Sequence, residues 1–354
     1  MVNGRKVLLR ITDLKQHFPV KGKKDLFVKA NDGISMDIYE GETFGLVGES
    51  GCGKSTLGRT ILQLYPQTHG KTIYYGRNLG EALPGCAIGE ADNSDEGAFC
   101  DGGIDLSRLK QNEMRLLRRD LQLVFQDPYS SLNPRMTVGQ IIGEGLLAHK
   151  VFDRVGQKMQ DYIMEVMENC GIAPYMIHRY PHQFSGGQRQ RIAIARSLAL
   201  RPKFVVCDEA VSALDVSIQS QILNLLSDLK EKENLTYLFI SHDLSVIRYI
   251  SDRIGVMYLG NLMELASVDD LFGQPMHPYT DALLKAIPTT TVDNPKSEVI
   301  LEGDIPSPIT PPKGCKFHTR CRYATDICEQ IEPIFEEAAP GHHVACHHKL
   351  GSRD

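Results

Sequence analysis

Nine consecutive residues, Gly48-Glu49-Ser50-Gly51-Cys52-Gly53-Lys54-Ser55-Thr56, hold the densest chemistry in the chain. Their spacing is that of a G-x-x-x-x-G-K-[ST] phosphate-binding loop. Gly48, Gly51 and Gly53 let the backbone curl so that successive N–H groups face phosphate oxygens, and a helix starting at the loop's end adds its positive pole. Lys54 is long enough to reach β- and γ-phosphates, and the Ser55 hydroxyl suits Mg²⁺. A second chemical cluster is Asp208-Glu209, two carboxylates delivered by the apolar run Phe204-Val205-Val206-Cys207. Ligands of open α/β sheets bind at that edge. In Ser185-Gly186-Gly187-Gln188 the serine is a natural N-cap, and the glycines allow a ligand close to exposed N–H groups.

These residues need elements to hold them. Phe44-Gly45-Leu46-Val47 reads as a buried parallel strand, and the apolar spacing from Ser55 through Leu57, Ile61 and Leu64 predicts a helix. Upstream, Val28, Ala30, Ile34, Met36 and Ile38 predict short antiparallel strands, and Phe18 and Phe27 are two aromatics able to stack on an adenine or to fill core. Residues 76–103 are rich in Gly, Ala and acidic side chains and read as a mobile solvated insertion. A helix is expected near Arg108–Arg119, then the strand Leu121–Phe125 running up to Gln126-Asp127-Pro128. Residues 137–180 have helical spacing. A helix opens at Ser185, another follows Asp215 with Ile222, Leu226 and Leu229 on one face, and the strand Leu235–Ile240 presents Ser241-His242-Asp243. Beyond about residue 262 prolines multiply and the chain reads as a loop-rich extension.

The whole is 354 residues with a net charge of −5, which marks no general nucleic-acid binder. No signal peptide and no run of about eighteen apolar residues is present. That predicts a cytosolic protein, in which nine cysteines are not expected to be structural disulfides.

In order, the phosphate loop, Gln126, Ser185–Gln188, Asp208-Glu209, Asp215 and His242 resemble the ABC-type ATPase domain over residues 1 to about 260. The resemblance implies an α/β P-loop NTPase with an antiparallel β subdomain and a helical subdomain at about 137–200. It implies a domain over 1–262 and a C-terminal extension over 263–354. Asp208 then holds Mg²⁺, Glu209 polarises the attacking water, His242 contacts the γ-phosphate, and Gln126 touches metal and water and senses a membrane subunit. Ser185–Gln188 completes the ATP site of a partner. Ala210 departs from the family, which usually has proline there.

Phe125–Met136, Arg179-Tyr180-Pro181-His182, His277-Pro278-Tyr279-Thr280 and Gly303–Pro308 narrow the resemblance to ATPase subunits of dipeptide and oligopeptide importers. Among those it is most similar to the second of two paired ATPases. That implies a peripheral protein at the cytoplasmic face of the plasma membrane. Its implied partners are a second ABC ATPase subunit, two transmembrane permeases and, indirectly, an extracellular substrate-binding protein, with no nucleic acid.

Cys315, Cys321, Cys328 and Cys346 remain, six, seven and eighteen residues apart in a segment short of core-forming residues. Four thiolates suit tetrahedral zinc or an iron–sulfur cluster. The lack of C-x₂-C pairs favours the cluster, and the resemblance implies a [4Fe–4S] centre, known in some importer ATPases. His318, His342, His343, His347 and His348 keep a mixed Cys/His zinc site open, and four reduced, unligated cysteines are the remaining alternative.

Overall fold

Alternation of apolar and polar residues makes the opening strands. In this computed structural model, which describes residues 4–23, 25–76, 99–100, 102–287 and 303–351, β1 spans Val7–Pro19 and β2 spans Phe27–Tyr39. β2 buries Ile34, Met36 and Ile38 on one face, as a period of two requires. β3 (Thr43–Val47) is buried at every position, the mark of a strand covered on both sides. It leads through the glycine loop into α1 (Lys54–Ile61).

There follow β4 (His69–Tyr74), the short pair β5 (Phe99–Cys100) and β6 (Gly103–Asp105), α2 (Gln111–Leu117) and β7 (Leu121–Val124). Next come α3 (Pro128–Ser131), α4 (Val138–Ala148), α5 (Gln157–Asn169), α6 (Gly186–Leu198) and β8 (Phe204–Asp208). The order closes with α7 (Val216–Glu233), β9 (Thr236–Ile240), α8 (Leu244–Ile250), β10 (Arg253–Tyr258), β11 (Asn261–Ser267), α9 (Val268–Gly273), α10 (Pro278–Lys285), α11 (Asp326–Gln330), β12 (Glu336–Ala339) and β13 (His342–Val344). None of the helices among the described residues is long and apolar enough to cross a membrane.

The chain divides into two compact units. One contains Met1–Arg10, Asp37–Glu42 and Ile73–Phe239. Within it β9, β8 and β7 lie side by side in that order. β7 and β8 run parallel, with Leu121 opposite Phe204 and Val124 opposite Cys207. The central helix here is α6, which buries Ile192, Ala193, Ile194 and Ala195. Ser197 on it donates to the Leu123 carbonyl at 3.2 Å, fixing the helix to β7. Around it α4 begins with a Thr137/Gln140 capping box, which satisfies two of the N–H groups a helix start leaves open. Most of the acidic segment expected at 76–103 lies outside the described residues.

The other unit contains Ile11–Met36, Thr43–Thr72 and Ile240–Asp354. Its sheet has the order β12-β13-β11-β10-β3. β10 runs parallel to β3, with Arg253 opposite Phe44 and Val256 opposite Val47. β11 returns antiparallel, and the terminal hairpin extends the edge, placing Glu264 opposite Val344. A hairpin of four and three residues has no stability alone, so the sheet is what orders it. Tyr258, Tyr279 and Phe317 meet at ring-centroid distances of 4.9, 5.3 and 5.2 Å, an aromatic knot joining β10 to the extension. No covalent link is needed for that join.

Candidate functional site

The phosphate loop has the shape that its glycines allow. Gly48 sits at φ +154° and Gly53 at φ +105°, where a Cβ on the first would collide with the Met257 carbonyl and on the second with the Ala30 carbonyl. Only glycine fits either place. Gly53 is the N-cap of α1, so Lys54, Ser55 and Thr56 form its first turn. Lys54 is buried, and its ammonium donates to the carbonyls of Gly48 and Glu49 at 2.7 and 2.9 Å. The cation is thus folded back over its own loop. Cys52 beside it is buried, and burial pushes its thiol up despite the neighbouring ammonium of Lys54. Ser50 and Gly51 are exposed at the loop's tip. His242 belongs to the same unit and is exposed just before α8. Asp243 caps that helix, accepting from the Ser245 N–H at 2.8 Å.

In the first unit the parallel pair β7–β8 ends at a common edge. Asp208 is the fully buried last residue of β8, and Glu209 follows at φ +49°. This left-handed turn swings the Glu209 carboxylate to accept from Gln126 Nε2 at 2.7 Å. Gln126, Asp208 and Glu209 are therefore gathered by two adjacent strand ends. Ser185 caps α6: its hydroxyl accepts from the Gln188 N–H at 3.4 Å, and Gln188 reaches back to the Ser185 N–H at 3.1 Å. Gly187 is pressed against Ile218 at the start of α7. Asp215 caps α7 and accepts from Ser217 Oγ at 2.8 Å and the Ile218 N–H at 3.0 Å. Those bonds hold its carboxyl below the usual range. The two glycine-bearing turns thus have different anchors, β3 for residues 48–53 and α7 for 185–188.

Sequence reasoning missed the residues that back the phosphate loop. Tyr279 Oη accepts the Glu49 N–H at 3.0 Å, Arg320 pairs with the Glu49 carboxylate at 2.7 Å, and Asn31 Nδ2 donates to the Gly53 carbonyl at 3.1 Å. Tyr279 and Arg320 both lie in stretches singled out for other reasons, so the signal was position and not type. Of the two aromatics noted upstream, Phe18 meets Tyr65 edge-on at 5.4 Å, while Phe27 is exposed.

The four-cysteine expectation is corrected. Cys315, Cys321, Cys328 and Cys346 do line one cavity, of about 10 Å³, which is about the space of a single water. Yet among the described residues no group of three or more His, Cys, Asp or Glu side chains is placed to hold a metal ion. Burial pushes the Cys315 thiol up to about 11 and that of Cys346 up to about 12. Neither the [4Fe–4S] cluster nor the zinc alternative is supported. Local bonds order the segment instead: Cys315 N–H to the Cys328 carbonyl at 2.8 Å and His318 N–H to the Cys315 carbonyl at 3.0 Å, around the buried ring of Phe317.

A phosphate loop between strand and helix, a capped Ser-Gly-Gly-Gln helix and a carboxylate pair at a strand end define an ATP-hydrolysing cassette. Residues 31–212 match the ABC transporter family and residues 263–328 the oligopeptide/dipeptide transporter C-terminal region; the chain belongs to the ABC transporter ATP-binding proteins. It is 46% identical over 351 residues to the oligopeptide transport ATP-binding protein AppF of Bacillus subtilis (strain 168), covering 97% of this chain and 98% of that one. It is 46% identical over 355 residues to the oligopeptide transport ATP-binding protein OppF of Salmonella typhimurium, covering 98% and 97%. A solved dimeric structure of the ATP-binding cassette MJ0796, in a post-hydrolysis state bound to ADP and Pi, superposes with a TM-score of 0.60 at 24% identity over 74% of this chain and 99% of that one. That likeness establishes the cassette fold.

Proposed function

We propose that the chain is an ATPase subunit coupling ATP binding and hydrolysis to import of peptides through a pair of membrane permeases. The observation that carries this reading is the union, in one chain, of the ABC transporter cassette at 31–212 and the oligopeptide/dipeptide transporter region at 263–328. Residues 48–56 bind the triphosphate through backbone N–H groups, and Lys54 exchanges its two loop carbonyls for phosphate oxygens. Ser55, Asp208 and Gln126 carry oxygen donors of the kind Mg²⁺ takes. A Mg²⁺ held by such donors would neutralise charge on the phosphates. Glu209 takes a proton from the attacking water, with Gln126 orienting its carboxylate. His242 donates to the γ-phosphate.

Ser185–Gln188 and the Asp215 turn face the nucleotide of a second ABC ATPase subunit, so the working unit is a dimer, here with a paired, non-identical chain. Its site is the cytoplasmic face of the membrane, held there by the two permeases and served by an extracellular binding protein. Purification from membranes tests the assembly. Two permeases and a second ATPase should accompany the chain, and peptide-loaded binding protein should raise ATP turnover. ATP turnover indifferent to any peptide, with permeases present, would overturn the peptide assignment.

A further inference from the structure

The C-terminal extension grips the phosphate loop. Arg320 Nη1 and Nη2 donate to the two carboxylate oxygens of Glu49 at 2.7 and 3.0 Å. The Arg320 side chain is 5% exposed and that of Glu49 21%, so salt screens the pair weakly. A two-pronged guanidinium fixes direction as well as distance. Tyr279, from α10, holds the backbone of the same residue by accepting the Glu49 N–H. Behind Arg320 stands the aromatic knot, with its guanidinium carbon 5.9 Å from the centre of the Tyr258 ring.

The far end of the loop is tied through the same turn. Lys316 donates to Asp32 at 3.2 Å and to Asn261. Asn31, next to Asp32, donates to the Gly53 carbonyl. Residues 316–320 thus reach both ends of the loop, Glu49 directly and Gly53 by way of β2.

Physical cost explains what such a brace achieves. A loop with glycines at 48, 51 and 53 has much backbone entropy to lose on ordering, and a ligand binds more tightly when that ordering is already done. Glu49 adds a second burden, because an unpaired carboxylate beside a triphosphate repels it. Arg320 removes both burdens.

We propose that Arg320 is a positioning residue that holds the phosphate loop ready for nucleotide through Glu49, making the C-terminal extension a working part of the ATP site. This rests on the reading of residues 48–56 as the nucleotide loop. The test is a double-mutant cycle on the full-length chain, measuring Kd for a fluorescent ATP analogue with Mg²⁺, and KM and kcat for ATP in the assembled transporter. Arg320→Met should weaken binding and raise KM about tenfold, with kcat changed less than about twofold. Arg320→Lys, which keeps charge but loses the fork, should fall between. Glu49→Gln with Arg320→Met should be no worse than Arg320→Met alone, because the unpaired carboxylate is gone.

A purely structural role would lower the melting temperature and leave KM and Kd alone, and that result overturns the proposal. Additive losses in the double variant overturn it as well. Should Arg320→Met not fold, the cycle runs with Arg320→Lys and Glu49→Gln. Lys54→Ala serves as the control. If it binds nucleotide like the wild type, the nucleotide-loop reading fails; if it loses binding while the Arg320 variants do not, the brace alone fails.

Discussion

Gln126 Nε2 donates to Glu209 Oε2 at 2.7 Å, joining residues 83 apart in sequence. The bond gives a carboxylate on a left-handed backbone a fixed direction. Glu209→Gln should keep ATP affinity within about twofold while kcat falls by about 10²–10⁴, the usual cost of losing a positioned base. Steady-state turnover on the assembled transporter, beside analogue binding, reads both. Near-normal turnover would remove Glu209 as the base.

Gly53→Ala tests the loop's shape. At φ +105°, with the Ala30 carbonyl in the way of a Cβ, alanine should cost about 1–3 kcal/mol of stability. Nucleotide binding should weaken with it, since the start of α1 moves. Urea unfolding and analogue titration give the two values, and an unchanged pair would show that the loop accommodates a left-handed alanine.

Ser185→Ala separates a cap from a partner contact. Losing the hydroxyl that accepts the Gln188 N–H should destabilise α6 by about 1 kcal/mol. The single chain should bind nucleotide as before, while turnover of the assembled dimer falls at least tenfold. Equal turnover in the dimer would leave Ser185 only its capping role.

His277 supplies a pH signature for the extension. Burial pushes its imidazole down to about 4, with the Glu264 carboxylate opposing in part. The unfolded chain binds the proton near pH 6.5 and the native chain only near 4, so the unfolded state carries more protons between those values. Stability is therefore full above pH 6.5 and falls with acid by about 1.4 kcal/mol per pH unit, some 3 kcal/mol in all by pH 4. His277→Asn keeps an acceptor for the Tyr279 N–H and should flatten that slope. A variant with the wild-type profile would assign the acid loss to other groups.

Much of this was legible in the residues themselves. Val205-Val206-Cys207 announces a strand buried on both faces, and Ser185 and Asp215 announce helix starts because each side chain can accept from the turn above it; the helix after Asp243 went unread. Gly48 and Gly53 announce turns that no other residue can make. The sheet edge was not legible: β13 has three residues and β12 exposes Glu336 and Glu337, so neither has the alternation that marks a strand. The cysteines misled for a related reason. Their number and spacing suggest a metal site, and they do line one cavity, but among the described residues they are not placed as a group that holds a metal ion. Glu209's left-handed backbone has no sequence signature without glycine or asparagine. Arg320 reads as one more surface arginine until its 271-residue reach to Glu49 is seen.

That reach also sets the order in which the protein can be made. A ribosome adding about 5–20 residues per second completes Lys54 long before it supplies β10, the strand that lies beside β3. Arg320 follows later still. For tens of seconds the nascent chain carries a finished ATP motif on a strand whose neighbour does not yet exist. The closing of the loop onto its brace is therefore a late, non-local event of the slow kind.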